Sequence, residues 1–315
     1  MNRVAVIGAG VSGLACAKVL ASAGTEVVVF EKSRSLGGRC SSRRWEGCVF
    51  DHGAQFFTAR DESFRAWLGE LGDRVRAVDG EVVDASNNEV GSGSRRYYHV
   101  EGNNRLGREL AAGLEVRSET LIERVGRGSD SCRWEVGGEN FDGVVSCAPW
   151  PQTAAMLGIE PGPSPYERNL TAAFLYDTEW SGRAREIYAV SDRSGAELAW
   201  SACENHKVGR VPDGRTLFVV QSSADFSVKF FDAEREAWAD RLQVDLERRW
   251  GLDAARRLGV FTHRWGFSRR VADVGAVDLP DSFYVCGDSW SESRIEDAWL
   301  SGRAVARRAI EWKFD

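Results

Sequence analysis

Apolar and polar positions alternate along this chain with two different periods, and the change of period marks its elements. Val4 to Ile7 is a short apolar run that predicts a fully buried strand. Leu14 to Ala23 predicts a helix, and Glu26 to Phe30 a second strand ending in Glu31. Phe64, Trp67, Leu68 and Leu71 recur at helical spacing, so Glu62 to Leu71 is expected to be an amphipathic helix. Asp79 to Gly93 predicts short strands or a hairpin. Arg105 to Gly113 predicts a helix with Asn104 as its N-cap. Leu114 to Val125 is expected to hold two short strands, and Trp134 to Val144 a hairpin leading into Ser146 to Pro149.

The second half changes character. A short helix from Pro151 to Leu157 and a rigid proline-rich loop from Pro161 to Pro165 precede four strand-like runs. These are Leu170 to Tyr176, Glu186 to Val190, Glu197 to Ser201 and Thr216 to Ser222, and they suggest an antiparallel sheet. Asp232 to Trp250 carries Ala237, Trp238, Leu242, Leu246 and Trp250 on one helical face, and Phe261 to Trp265 returns as a strand. Ser282 to Asp288 reads as a strand running into a turn, followed by a helix from Ile295 to Trp312. The order predicts an α/β chain: a Rossmann-type nucleotide-binding domain from 1–80, 102–150 and 280–315, and a discontinuous α+β substrate domain from 81–101 and 151–279.

The first connection carries the chemistry. Gly8, Gly10 and Gly13 stand between a strand and a helix: the first permits a tight turn, the second lets backbone approach a diphosphate, and the third lets helix and strand pack closely. The helix start, Ser12 included, offers amides and the positive dipole end to an anion. Glu31, followed by Lys32, is placed to accept hydrogen bonds from both hydroxyls of an adenosine ribose. The spacing therefore points to a dinucleotide.

Composition narrows the partners. The 315 residues are 43% hydrophobic and 28% charged with a net charge of −6, which suits a globular protein and recommends neither nucleic acid nor an anionic membrane. No apolar run is long enough for a membrane span, and no secretory leader is read at the start. Seven scattered cysteines without Cys-x-x-Cys spacing fit a reducing cytoplasm, and four dispersed histidines suggest no metal site. Twelve tryptophans suggest an apolar pocket suited to a flat ring.

Gly37-Gly38-Arg39 and the Asp51-His52-Gly53-Ala54 stretch resemble segments of flavin amine oxidases and their relatives. With Gln55 to Arg60, Cys147 to Pro149, His263 to Trp265, Cys286 to Asp288, Arg294 to Glu296 and Ala298 to Gly302, the chain resembles a renalase-type flavoprotein over most of its length. The resemblance implies non-covalent FAD. It places the diphosphate and flavin along Gly38, Arg39, Gly53, Ala54, Gln55 and Phe56, and the adenine at Leu121. It also places Ala148 near the cofactor, Gly287 and Asp288 at the ribitol, and Ile295, Glu296 and Ala298 beneath the flavin. A helix N-terminus there would stabilise negative charge on the reduced ring.

The implied reaction is oxidation of 2- or 6-dihydro isomers of NAD(P), with hydride passing to flavin N5 and electrons to molecular oxygen, giving NAD(P)+ and hydrogen peroxide. Restored aromaticity drives hydride loss, so orientation matters more than acid–base chemistry. His263, Trp265, Trp290 and Arg294 are the expected ring or carboxamide contacts, with Tyr188 or Trp200 as further ones. Glu292, Ser293 and Asp297 depart from the family's glycines, and Asp297 would oppose a reduced anion if it faced the flavin. Two other readings stay open: another FAD-dependent oxidoreductase, either an amine oxidase or a pathway dehydrogenase, and a non-catalytic dinucleotide-binding protein.

Overall fold

The computed structural model describes residues 2–86, 88, 95–128 and 134–311. The chain forms two compact units, each assembled from separated segments: 1–40, 104–166 and 269–315 in the first, 41–103 and 167–268 in the second. The expected boundaries differ from this division over 41–80 and 102–103, which lie in the second unit, and over 151–166 and 269–279, which lie in the first.

The first unit is built on a five-stranded parallel sheet in the order Phe283–Val285, Gly143–Ser146, Arg3–Ile7, Glu26–Phe30, Glu115–Arg117. Its central strands are continuous apolar runs because both faces are covered. On one face the helix Val11–Ser22 packs against the helix Ile295–Glu311, which follows the edge strand. The contact is close at Gly302, where any side chain would strike the backbone of Ser12. The other face is covered by an antiparallel meander, Val125–Arg127, Trp134–Val136 and Glu139–Phe141. Its Trp134, Val136 and Phe141 share a core with Ala5, Val28 and Phe30 of the sheet.

The second unit is a six-stranded sheet in the order Arg257–Trp265, Asn169–Tyr176, Thr216–Ser222, Leu198–Cys203, Ile187–Ser191, Glu81–Asp84. Neighbours run antiparallel except the last pair. Strand alternation sorts Asn169–Tyr176 cleanly. Leu170, Ala172, Phe174 and Tyr176 meet Trp238, Leu242 and Leu246 of the helix Arg235–Trp250, whereas Ala173 and Leu175 pack with Cys48 and Phe50 of the hairpin Ser42–Trp45 and Cys48–Asp51.

Four expectations need correction. No strand forms over 118–124, so Leu121 lies in an irregular segment between Glu115–Arg117 and Val125–Arg127. Asn104 makes no side-chain cap to the helix Arg105–Ala111 because its own backbone is already helical, and a capping side chain works from an extended residue. The long helix starts at Arg235, after a separate helix, Ala224–Phe230, that is capped by Ser223 and carries the phenylalanines Phe226 and Phe230. The 79–93 stretch gives the strand Glu81–Asp84, which joins the six-stranded sheet. The remainder of that stretch lies partly outside the described residues, as does Trp312.

Candidate functional site: a dinucleotide cradle and an aromatic shelf

In the first unit the glycine turn has the properties that a diphosphate requires. Gly8 sits at φ +103°, and its amide donates to the Phe30 carbonyl at 2.8 Å, fixing the turn to the second strand. Gly10 begins the helix Val11–Ser22 with no side-chain cap, and a Cβ built on it would meet nothing within 4 Å. The first-turn amides are thus left for an outside acceptor, and the space above Gly10 is clear. Gly13 is the opposite case: a Cβ there would collide with the Gly8 carbonyl and stand 2.9 Å from Cys147 Sγ.

Glu31 is buried at the end of its strand. Its carboxylate accepts from the Ala9 amide at 2.7 Å and the Ser33 amide at 2.8 Å. Those bonds hold the acid beside the glycine turn, with lone pairs remaining for ribose hydroxyls. Lys32 is exposed, and Ala148 is half-buried in the turn after Gly143–Ser146. Gly37 donates to the Ala9 carbonyl at 2.8 Å, which brings Gly38 to within 3.1 Å of Gly10 Cα as measured from a built Cβ. The Gly-Gly-Arg segment therefore lies directly on the glycine turn.

The closing elements meet the same place. Gly287, at φ +99°, donates its amide to Ser301 Oγ at 3.0 Å, and a Cβ on it would lie 3.1 Å from Ser12 Oγ. Asp288 is buried and takes the guanidinium of Arg39 in a fork, with Nη1 to Oδ2 at 2.5 Å. It also accepts from the Tyr166 hydroxyl at 3.1 Å and from Ser293 Oγ at 2.9 Å. Burial and the Asp288 charge push the Tyr166 phenol up to about 12, so it stays a donor. The Tyr166 hydroxyl also lies 2.7 Å from Ser289 Oγ; neither residue was anticipated, and a lone tyrosine after a proline-rich loop offers no sequence signal.

Ile295 and Glu296 are buried at the start of the closing helix, with Ala298 half-buried one residue beyond Asp297. Asp297 is paired with Arg294, Nη2 to Oδ1 at 3.0 Å, so its charge is neutralised within its own helical turn. The same pair occupies the Arg294 guanidinium expected to meet substrate. Trp290 packs edge-on against Trp150 at 5.6 Å and lines a groove of about 560 Å³ along the closing helix, from Asp297 to Arg308.

The second unit carries an aromatic shelf. His263, Thr171, Gln221 and Trp200 occupy matching register positions across four neighbouring strands. Side chains from this row and from Trp265 clasp the turn over 52–56: Trp265 Nε1 donates to the His52 carbonyl at 3.0 Å, Gln221 Nε2 to the Gly53 carbonyl at 3.3 Å, and Trp200 Nε1 to Gln55 Oε1 at 3.0 Å. His52 stacks on Trp265 at 5.7 Å and meets His263 at 4.8 Å, while Phe56 tilts against Trp200 at 5.8 Å. Asn103 fastens the turn by donating to the Ala54 carbonyl at 2.9 Å. Two buried polar atoms, His52 Nδ1 and Gln55 Nε2, have no protein partner among the described residues, which fits a turn that meets a polar ligand.

Tyr188 does not belong to that surface. It is fully buried beneath Trp200 and His206, at 6.3 Å and 5.9 Å, with its hydroxyl unpartnered among the described residues. Its ring packs beneath Trp200 instead of standing on the shelf.

Burial, with His263 next to it, lowers the His52 pKa to about 3, and burial also lowers that of His263. Both rings are neutral on the folded chain. Unfolded His52 takes its proton near 6.5 and the folded form only near 3, so apoprotein stability is complete above pH 6.5 and falls as pH drops through that window. His52 alone is expected to remove ~2 kcal/mol by about pH 5. Urea unfolding at pH 7.5 and 5 measures this, and His52→Phe is expected to flatten the dependence.

Sequence reading missed the anchor of the turn. Asp51, Glu204, Lys207 and Arg210 form a four-membered ionic cluster with fully buried side chains. Lys207 Nζ reaches Asp51 at 3.1 Å and Glu204 at 2.7 Å, and Arg210 Nη1 reaches the same acids at 2.5 Å and 3.1 Å. Arg210 Nη2 also donates to the His99 carbonyl at 2.6 Å. Burial works against the Asp51 charge, but Arg210 and Lys207 hold its pKa at about 2; burial raises that of Glu204.

Among the described residues no cluster of His, Cys, Asp or Glu is arranged for a metal, and no helix is long and apolar enough to cross a membrane. The fold is that of the FAD-dependent oxidoreductases. Residues 6–71 match the NAD(P)-binding Rossmann-like domain family. Over 75 residues, 24% of this chain, the sequence is 44% identical to protoporphyrinogen oxidase 2 of Arabidopsis thaliana, of which the match spans 15%. Structural likeness covers nearly the whole chain. Reduced UDP-galactopyranose mutase superposes with a TM-score of 0.81 at 10% identity, covering 99% of this chain and 96% of its own. Cyclohexylamine oxidase from Brevibacterium oxydans does so at 0.76 and 14%, covering 99% of each chain.

Proposed function

We propose that the chain is an FAD-dependent oxidoreductase of renalase type that oxidises 2- or 6-dihydro isomers of NAD(P). The observation that carries the cofactor assignment is the cradle itself: uncapped amides above clear space at Gly10, with Glu31 held beside them. Bound FAD would supply hydride acceptance at N5 and reoxidation by molecular oxygen to hydrogen peroxide. The chain's own residues do the rest. Glu31 accepts from the adenosine ribose, the amides from Val11 to Gly13 bind the diphosphate, and Arg39 and Asp288 orient the neighbouring part of the cofactor. The start of the helix Ile295–Glu311 favours negative charge on the ring. No covalent attachment is required by this arrangement.

The aromatic shelf supports the substrate assignment. His52, His263 and Trp265 present neutral rings and no carboxylate, which suits a flat ring that gains aromaticity by losing hydride. Anaerobic mixing tests the reading: bleaching of the flavin by dihydronicotinamide isomers and none by amines supports it, and bleaching by amines alone replaces it with an amine oxidase. A protein that holds FAD and is reduced by neither would be a binding protein. His263→Ala is expected to lower kcat/KM for the isomers about 100-fold with FAD content unchanged, by loosening ring placement. Steady-state kinetics on the reconstituted variant checks this.

A further inference from the structure

We propose that Cys147 and Cys286 form an oxidisable dithiol, a modification site in the first unit at which a hydroperoxide joins two thiols into one disulfide. Ser146 and Val285 are partners on adjacent parallel strands, so the next residue of each leaves the sheet beside the other. The Cys286 amide donates to the Ser146 carbonyl at 3.0 Å, and the two sulfurs lie 3.2 Å apart. Adjacent strands are ~4.8 Å apart. That falls within the Cα separation a disulfide spans.

The surroundings favour reaction at this pair. Cys147 is the half-buried member of the pair, and Cys286 is buried with Cys16, Cys40, Cys48 and Cys203. Hydrogen bonds from Cys147, Cys16 and Ser12 hold the Cys286 thiol below its ordinary range against the effect of burial. Burial raises Cys48, and pushes Cys203 up to about 12. The thiolate is the reacting form, so Cys286 is the attacking sulfur; its bond to Cys147, together with burial, pushes the Cys147 thiol up.

The step balances. One sulfur of the pair attacks the O–O bond of the hydroperoxide, giving a sulfenic acid and releasing water or an alcohol. The second sulfur then attacks the first, the S–S bond forms as the S–OH bond breaks, and the hydroxyl leaves as water. Two thiols are oxidised by two electrons in all, and one peroxide is reduced. The bridge would join the turn that carries Ala148 to the turn that carries Asp288.

The test does not depend on the substrate assignment, because the peroxide is added. Protein loaded with FAD is treated with hydrogen peroxide, the remaining thiols are alkylated, and peptides are mapped by mass. The expected product is a single cross-linked peptide pair containing Cys147 and Cys286. The denatured thiol count is expected to fall from the seven in the sequence by two, to five, and to recover with dithiothreitol. Cys147→Ser is expected to yield no cross-link. Unchanged thiols, a Cys16–Cys286 bridge, or sulfinic acid at Cys147 without a bridge would each overturn the proposal, and the wild-type map suffices if the variant does not fold.

Discussion

Replacing Asp51 by alanine is expected to destabilise the protein by about 3–5 kcal/mol, because it strands Lys207 and Arg210 where neither can reach water. Glu204 remains, but one carboxylate cannot neutralise two buried cations. Urea unfolding measures the loss directly. Arg248→Ala removes a pair whose arginine side chain is 77% exposed, and it is expected to change stability by less than about 1 kcal/mol. Comparable effects from the two replacements would show that the cluster is not the anchor described here. Asp51 also accepts the Asn103 amide at 2.8 Å, and Asn103 in turn holds the Ala54 carbonyl. Its loss should therefore loosen the turn over 52–56 as well as the fold.

The second large effect separates binding from folding. Gly10→Ala is expected to leave the apoprotein at least as stable as the parent, since the backbone at φ −72° and ψ 173° accepts any residue and the new methyl meets open space. FAD affinity should nevertheless fall about 100-fold, because the methyl occupies the path of the diphosphate and roughly 2.7 kcal/mol of contact is lost. Gly13→Ala should instead harm both, by about 1–3 kcal/mol of overpacking against the Gly8 carbonyl and Cys147. Thermal midpoints of the apoproteins, read beside flavin absorbance titrations, distinguish these outcomes. Undiminished FAD binding by Gly10→Ala would remove the cradle as the cofactor site.

The cradle was legible in the amino-acid sequence because backbone does its work. Gly8, Gly10 and Gly13 are required by turn, approach and packing at fixed spacing, and Glu31 follows at the distance one helix and one strand impose. The strand over Phe261 to Trp265 was expected too, but His263 and Trp265 were singled out through the resemblance rather than through any pattern of the strand itself. The ionic cluster was not, since Glu204, Lys207 and Arg210 look like an ordinary polar loop until folding carries them to Asp51, more than 150 residues away in sequence. That Tyr188 is fully buried was not legible either, because a strand residue's type does not say which face of the sheet is later covered. The Arg294–Asp297 pair also required coordinates: spacing of three permits it, but many residues at that spacing never meet.

The contact between Gly302 and Ser12 sets an order on the birth of the molecule. As the ribosome delivers the chain from its amino end, the helix Val11–Ser22 emerges well before Gly302, against which it packs. Until then that face of the helix is uncovered. On the proposed cofactor site, a nascent chain arrested before residue 302 should emerge colourless even with FAD in abundance.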